Sequence, residues 1–252
     1  MPLTSPQHLT ILTGASRGMG LAMAEQLLQA GQYLVCISRQ TNAQLVAPAG
    51  STLEQWQADL ADSAPVAQRL GQWLQQHNPA QWASVTLINN AGTLAQLTPL
   101  RDADAADLAR ALRVGLEAPM QLTAAFLGAT RGWPGLRRVL NISSGLGRRA
   151  MAASAAYCAA KAGMDHFTRC VALDEAGQTN GAKVCSLAPG VIDTDMQVQL
   201  RGANAEHFAD QGAFASLHRN GQLASPGDAA ARVLAYLERG DFGSEVVADV
   251  RG

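Results

Sequence analysis

The fold of this chain is decided by one stretch near its start, Leu9-Thr10-Ile11-Leu12-Thr13-Gly14-Ala15-Ser16-Arg17-Gly18-Met19-Gly20. Residues 9–13 form an apolar strand, and residues from about 19 to 30 have the pattern of a helix that Gly31 ends. Glycines between a strand and a helix let a pyrophosphate approach the backbone N–H groups at the helix start. A plain tight turn is the alternative, but the position of this loop favours phosphate binding.

The rest of the chain alternates short apolar strands with longer helices. We predict further strands at 33–38, 53–58, 85–89, 138–143, 182–187 and, as a short seventh, 245–248. We predict helices at 64–76, 104–130, 155–175 and 226–239. Pro119 should kink or break the second of these, and Ser225 should be the N-cap of the last. We therefore expect an α/β fold: a single-domain, Rossmann-type, doubly wound parallel sheet over residues 1–252, with helices on both faces.

Composition and charge exclude several function classes. Of the 252 residues, 48% are hydrophobic and 15% are charged, and the formal net charge is −1. Nothing in these values predicts binding to nucleic acid or to an anionic membrane. Residues 1–8 lack the basic and apolar segments of a secretory signal, and no apolar run is long enough to cross a bilayer. Without such segments we expect a cytoplasmic protein. The histidines have no metal-binding spacing, so we also expect no metal site.

Four cysteines are spread along the chain within apolar runs, Cys36, Cys158, Cys170 and Cys185. No two of them have the Cys-x-x-Cys spacing of zinc or redox sites. We expect buried free thiols, which fits a reducing compartment.

Short motifs follow the predicted strands in a fixed order. After the first loop come Asn89-Asn90-Ala91-Gly92, Ser144, Tyr157-Cys158-Ala159-Ala160-Lys161 and Pro189-Gly190-Val191. As a set, they resemble the short-chain dehydrogenase/reductase family over nearly the whole chain. The resemblance implies that a nicotinamide dinucleotide binds at the carboxyl ends of the strands. It implies that the cofactor is held by Gly14, Ser16, Arg17, Gly18, Met19, Gly20, Asp59, Leu60, Asn90, Ala91, Gly92, Tyr157, Lys161, Pro189, Gly190, Ile192 and Thr194. Asp59 would contact the adenine ring, and Thr194 the nicotinamide carboxamide.

The end of the second strand bears on the choice between NADH and NADPH. An NAD site usually ends this strand with an acidic residue, but here the strand ends Ile37-Ser38-Arg39-Gln40. Arg39 and Arg17 together supply two guanidiniums that can clamp a 2′-phosphate. We predict NADPH/NADP+ as the cofactor; the alternative is that both arginines are solvated surface charges.

Tyr157 and Lys161 are the predicted catalytic pair. They lie four residues apart on a predicted helix, so they share one face. A nearby ammonium favours the phenolate, and we expect it to pull the tyrosine pKa from about 10 towards the working range. The resemblance adds Ser144, thirteen residues before the tyrosine, as the group that holds the substrate oxygen. Ser143 competes for this role, and we place it as support.

The chain departs from the family at Gly115, where an asparagine usually helps to relay protons to the lysine. Glycine has no side-chain donor or acceptor. Either water fills the gap, or Glu117 substitutes, or the relay is weak.

Within the family, Ala156-Tyr157-Cys158 and Asp193-Thr194-Asp195-Met196-Gln197 resemble the branch of sepiapterin and benzil reductases, which reduce one carbonyl of a dicarbonyl-like substrate. The expected substrate is therefore an aromatic or dicarbonyl compound. We predict that residues from about 195 to 222 form a flap over it, and that Leu146 and Pro189 line its pocket. The apolar flap residues either line the pocket too or belong to the core: Met196, Leu200, Phe208 and Phe214.

The expected function is NADPH-dependent reduction of a carbonyl substrate. Two alternatives remain open: an alcohol dehydrogenase that acts oxidatively on a hydroxylated small molecule, and a non-catalytic NADP(H)-binding sensor. The resemblance also implies a homodimer or homotetramer that pairs the two long helices.

Overall fold

The computed structural model of the protein describes residues 7–252. Its centre is a seven-stranded sheet in which every neighbouring pair of strands is parallel. The strands are β1 (Gln7–Thr13), β2 (Gln32–Ser38), β3 (Thr52–Gln57), β4 (Trp82–Asn89), β5 (Leu136–Ile142), β6 (Lys183–Ala188) and β7 (Val247–Asp249). Their spatial order is β3-β2-β1-β4-β5-β6-β7, so the order reverses between β1 and β4. The doubly wound parallel sheet predicted from the sequence is confirmed.

Helices cover both faces of this sheet. They are α1 (Gly18–Leu27), α2 (Ala64–Gln75), α3 (Ala105–Leu112), α4 (Ala118–Ala129), α5 (Ala155–Ala176), α6 (Asp195–Arg201), α7 (Gln211–Arg219) and α8 (Pro226–Leu237). On one face, Leu70 of α2, Phe126 of α4 and Val171 of α5 belong to a core shared with the strands. On the other face, Met23 of α1 and Val233 of α8 belong to a second core.

A third, smaller apolar cluster lies apart from the two sheet cores. Its buried members are Met151, Leu200 and Phe208, and the partly buried Phe214 packs against it. The rings of Phe208 and Phe214 stack with their centroids 5.8 Å apart. The segment 195–222, which contains α6 and α7, therefore packs through this cluster on Met151 and the neighbouring loops.

The predicted helix over 104–130 is interrupted. α3 ends at Leu112, a π-helical turn spans Arg113–Glu117, and α4 begins at Ala118. Pro119 is the second residue of α4 and has no N–H, so it cannot donate to the carbonyl of Gly115 one turn earlier. The predicted local break at Pro119 is thus a π-turn immediately before it.

Other predicted boundaries shift slightly. α1 ends at Leu27 and not near Ala30, and β7 is displaced towards the C-terminus relative to 245–248. Gly31 has φ +83 and lies in the connection to β2, where a glycine is needed. Ser225 caps α8 as predicted, because its Oγ accepts a hydrogen bond from the backbone N–H of Asp228 at 3.0 Å.

The prediction that the cysteines are buried is correct for only two of them. All four are free thiols; Cys36 and Cys185 are buried, Cys158 is intermediate and Cys170 is exposed. Cys170 lies on the outward side of α5 together with the exposed Leu173, whereas its neighbour Val171 faces the core.

The described part of the chain contains neither a helix suited to span a membrane nor a cluster of metal-binding side chains. Between residues 7 and 252, no helix is both long and apolar enough to span a membrane. That same part contains no group of three or more His, Cys, Asp or Glu side chains arranged to hold a metal ion. The segment assessed as lacking a secretory signal lies, except for residues 7 and 8, outside the described residues.

Candidate active site

The carboxyl ends of β1, β4, β5 and β6 open into a cleft of about 850 Å³ at the point where the strand order reverses. Ligands of open α/β sheets bind at this place. Every residue predicted above as catalytic or cofactor-binding lines the cleft: Gly14, Ser16, Arg17, Gly18, Met19, Gly20, Arg39, Asp59, Leu60, Asn90, Ala91, Gly92, Ser144, Tyr157, Lys161, Pro189, Gly190, Ile192 and Thr194.

The loop between β1 and α1 requires glycine at two positions. Gly14 has φ +70, and a Cβ there would lie 2.9 Å from the Cα of Ala91. A Cβ on Gly20 would collide with the backbone oxygen of Gly14. α1 begins at Gly18, and the side chain of Arg17 at its N-cap makes no capping hydrogen bond. The first N–H groups of this ten-residue helix are therefore not satisfied by a side-chain cap.

Thr13 and Asn90 stabilise this loop, and the role of Thr13 was not predicted from the sequence. The Oγ1 of Thr13 accepts hydrogen bonds from the backbone N–H groups of Asn90 (2.9 Å) and Ala91 (3.0 Å). In return, the Nδ2 of Asn90 donates to the carbonyls of Thr13 (3.0 Å) and Gly14 (3.2 Å). The Asn90 side chain thus holds the shape of the loop.

The two arginines predicted to bind a 2′-phosphate differ in their partners. Arg17 forms an ion pair with Asp195 at the start of α6, with 2.6 Å between Nη1 and Oδ2. Arg39 is exposed and forms no ion pair or side-chain hydrogen bond within residues 7–252. Asp59, predicted to contact adenine, accepts a hydrogen bond from Ala61 N–H at 3.0 Å and lies 3.8 Å from Arg110, a further cation lining the cleft.

Lys161 is buried at the base of the cleft and is 3% exposed. Its Nζ donates a hydrogen bond to the carbonyl oxygen of Ile142, at the end of β5, over 2.6 Å. Burial lowers the pKa of the ammonium to about 8, although the carboxylate of Asp165 one turn later works in the opposite direction. Lys161 Nζ lies 5.7 Å from the centre of the Tyr157 ring.

The expected effect of Lys161 on Tyr157 is wrong for this structure. Burial raises the pKa of Tyr157 to about 12, and an interaction with the Ser144 side chain lowers it only in part. Lys161 is not among the groups that shift this pKa, and its ammonium donates to the Ile142 carbonyl. The shift favours the protonated phenol of Tyr157.

Ser143 and Ser144 face different partners. The Oγ of Ser143 is buried and donates to Oδ1 of Asp165 at 2.6 Å, which agrees with its predicted supporting role. Ser144 lines the cleft, and its Oγ accepts from Leu146 N–H at 3.2 Å.

Asp165 is a buried carboxylate that sequence reasoning missed. Besides Ser143, its Oδ1 accepts a hydrogen bond from the Oγ of Ser186 in β6 at 2.7 Å. Its Oδ2 lies 3.4 Å from Nε of Arg148, whose Nη2 donates to the carbonyl of Ala248 at 2.8 Å. Its spacing of four residues after Lys161 was the available sign. Asp165 ties α5 to β5 and β6 directly beneath the catalytic residues.

One of the three possibilities for Gly115 is excluded. Glu117 is exposed, does not line the cleft, and accepts a hydrogen bond from Gln121 at 2.9 Å. It therefore does not substitute for the missing asparagine. Gly115 itself is buried in the π-turn, where a Cβ would lie 3.0 Å from the Cβ of Ala160 in α5.

The predicted flap contributes most of the apolar lining expected of it. Met196, Leu200 and Phe214 line the cleft, as do Leu146 and Pro189 from neighbouring loops. Phe208 does not line the cleft: it is fully buried within the flap. Further lining residues that the sequence did not single out as pocket residues are Leu94, Arg149, Gln197 and Arg251.

Comparison with known proteins gives consistent matches over most of the chain. A model of the short chain dehydrogenase family matches residues 8–205. A benzil reductase ((S)-benzoin forming) from Bacillus cereus is 36% identical over 239 residues, covering 92% of this chain and 94% of the relative. Sepiapterin reductase from Rattus norvegicus is 32% identical over 247 residues, covering 93% and 92%. A solved short-chain dehydrogenase/reductase from Burkholderia vietnamiensis is similar with a TM-score of 0.66 at 35% identity, covering 98% of this chain and 100% of that one.

Proposed function

Given that the chain belongs to the short-chain dehydrogenase/reductase family, we propose that it is an NADPH-dependent carbonyl reductase that reduces one carbonyl of an aromatic or vicinal dicarbonyl substrate. That it is an oxidoreductase acting on carbonyls follows from the family and from its benzil reductase relatives. The cofactor preference and the substrate class are our proposal.

One observation carries the proposal. The hydroxyl-bearing residues Ser144 and Tyr157 and the buried ammonium of Lys161 line the same cleft as the glycine loop at the end of β1. The hydroxyl groups of Ser144 and Tyr157 can both hydrogen-bond a carbonyl oxygen. The glycine loop can hold a dinucleotide in the same cleft. We assign the catalytic roles to these three residues.

The residues of the cleft fit a nicotinamide dinucleotide phosphate. At Gly14 and Gly20 a side chain would collide with the backbone of the loop and of Ala91, so these glycines keep the loop tight before α1, whose start has no side-chain cap. Backbone N–H groups there would bind the pyrophosphate, and Arg39 would bind the 2′-phosphate. When bound, the cofactor supplies a hydride for the carbonyl carbon.

The protonated phenol of Tyr157 suits the acid step of carbonyl reduction. Carbonyl reduction requires an acid that gives a proton to the carbonyl oxygen, and the pKa of Tyr157, raised to about 12, keeps the phenol protonated. Ser144 would hydrogen-bond the same oxygen and stabilise the negative charge that develops on it. The Lys161 ammonium would hold the nicotinamide ribose.

The apolar side chains of the cleft support an aromatic substrate. Leu146 and the flap residues Met196 and Phe214 line the cleft, and apolar surface of this kind suits an aryl ketone. We propose that residues 195–222 act as the substrate flap of one catalytic and dinucleotide-binding domain that spans 1–252.

We also propose that the protein is cytoplasmic and forms a homodimer or homotetramer. The four free thiols are consistent with a reducing compartment. Exposed apolar side chains on α4 and α5, Met120 and Leu173, are consistent with pairing of these helices between subunits.

Steady-state oxidation of NADPH with benzil tests the function. We expect turnover by the wild-type protein, and a fall in kcat of at least about 100-fold in Tyr157→Phe, because this change removes the proton donor. The affinity for NADPH should stay within about twofold, since the ring is retained. Tyr236→Phe on α8, outside the cleft, is the matched control. Tight NADPH binding without turnover of any carbonyl would favour a sensor, and equal activity of the Tyr157 variant would refute the mechanism.

The cofactor assignment is tested by Arg39→Ala. Because Arg39 has a guanidinium free for the 2′-phosphate, we expect the KM for NADPH to rise by about 10- to 100-fold while that for NADH changes little. Arg101→Ala, which removes an exposed arginine outside the cleft, is the control. An equal change for both cofactors would contradict the assignment.

A further inference from the structure

Gln197 is the third residue of α6, and its position in the cleft is not explained by the groups described so far. It is 7% exposed, yet it lines the cleft that contains Ser144 and Tyr157. Its side-chain Oε1 is buried and has no hydrogen-bond partner within residues 7–252. A buried amide without partners is costly, so a side chain of this kind in a binding cleft indicates a polar ligand group.

The charged side chains near Gln197 are already paired. Arg201 forms an ion pair with Asp193 at 3.0 Å, and Asp195 pairs with Arg17. The Nε2 of Gln211 donates to the backbone carbonyl of Arg201. The Gln197 amide is thus a flap group that keeps its hydrogen-bonding capacity for the cleft.

The surroundings of Gln197 point to the substrate. Met196 and Leu200, on the same helix, line the cleft together with Phe214 and Leu146. A single amide among apolar side chains can fix the orientation of an otherwise apolar ligand. A glutamine side chain has a donor, Nε2, and an acceptor, Oε1. Rotation of the amide by 180° exchanges their positions, so either group can face the ligand.

We propose that the side-chain amide of Gln197 hydrogen-bonds the second, non-reacting oxygen of a vicinal dicarbonyl substrate. With Nε2 turned towards it, this carbonyl oxygen accepts the bond while the reacting carbonyl faces Tyr157 and Ser144. Gln197 then selects 1,2-diketones over simple ketones and decides which of the two carbonyls is reduced. This inference rests on the proposed reductase function and deepens it.

Two ketones that differ only in the second oxygen test the proposal: benzil, and deoxybenzoin, in which a methylene replaces one carbonyl. In Gln197→Met, which keeps the length of the side chain but removes its amide, kcat/KM for benzil should fall by about 10- to 100-fold. The value for deoxybenzoin and the Kd of NADPH should stay within about twofold. Gln211→Met is the matched control, because it removes a flap glutamine that lies outside the cleft.

Equal losses for the two ketones would overturn the proposal, because Gln197 would then support the flap alone. A weaker Kd for NADPH would also overturn it, since the amide would then contact the cofactor. If the wild-type protein reduces neither ketone, the proposed function fails separately, and quenching of bound NADPH fluorescence decides the inference. Tighter binding of benzil than of deoxybenzoin that Gln197→Met abolishes would support it, and binding without preference would overturn it.

Discussion

Lys161 illustrates at the scale of one residue how a catalytic group can oppose stability. Its ammonium is buried beneath the cleft, with one hydrogen bond to the Ile142 carbonyl and a carboxylate, that of Asp165, one turn away. Burial disfavours the charged form, so its pKa falls from 10.5 to about 8. Folding is therefore less favourable near neutral pH than it would be with an apolar side chain at this position.

Replacing Lys161 with methionine should stabilise the fold and abolish carbonyl reduction. The depressed pKa corresponds to a destabilisation of at most about 3 kcal/mol, and loss of the bond to Ile142 offsets part of the gain. The unfolded chain binds this proton more tightly, so the destabilisation is complete below pH 8 and disappears as the pH rises to 10.5. Urea unfolding at pH 7, 9 and 10.5 measures the difference.

The exposed Lys183→Met on β6 is the control for this experiment and should change stability little at any of these pH values. A Lys161 variant that is less stable than the wild type at pH 7 would contradict the prediction. Such a result would mean that the interactions with Ile142 and Asp165 outweigh the cost of burying the charge.

The junction of α3 and α4 shows what determines a residue choice at the scale of an element. The π-turn brings Gly115 against α5, where only a hydrogen atom fits comfortably beside Ala160. Contacts this close are possible only with small residues on both helices. The family's usual asparagine would therefore crowd Ala160 at this position.

Gly115→Asn should accordingly destabilise the protein, by about 1–3 kcal/mol, because the new side chain overpacks the contact with Ala160. The double variant Gly115→Asn/Ala160→Gly should lose less stability than the sum of the two single losses, since Ala160→Gly removes the clashing methyl group. A double-mutant cycle of thermal unfolding measures this coupling. Additive losses from the two substitutions would show that the contact does not limit the residue at 115.

At the scale of the whole molecule, two of the helices that cover the sheet expose large apolar side chains on their outer surfaces. Leu173 of α5 is 78% exposed, and Met120 of α4 is 43% exposed. Exposed apolar side chains on adjacent helices are typical of contact surfaces between subunits. The proposed oligomer would bury them.

Leu173→Glu should weaken the oligomer, because association would bury a carboxylate against apolar groups. Sedimentation velocity should show a shift towards smaller species. Val46→Glu, at an equally exposed apolar position away from these helices, should leave the distribution unchanged. Dissociation by the Val46 variant and not by the Leu173 variant would place the interface elsewhere.

The alternation of strands and helices and the residues of the glycine loop and catalytic motifs were predictable because they depend on local pattern and on motifs at strand ends. Glycine positions near Gly14, the pair Tyr157 and Lys161, and the cap at Ser225 each reflect a constraint within a few residues. The pKa of Tyr157, the role of Asp165 and the packing of Gly115 were not predictable. They depend on which side chains from distant segments meet, and Thr13, Ser186 and Ala160 became partners only in the folded chain.

The packing of segment 195–222 has a consequence for how this protein can change. Met151, Leu200 and Phe208 form a cluster that shares no buried residue with either sheet core. Changes in the part of the segment that follows α6 would therefore leave both sheet cores intact. Substrate range can diverge between relatives, or in the laboratory by grafting, through residues 202–222 while Asp195 and Gln197 of α6 are kept.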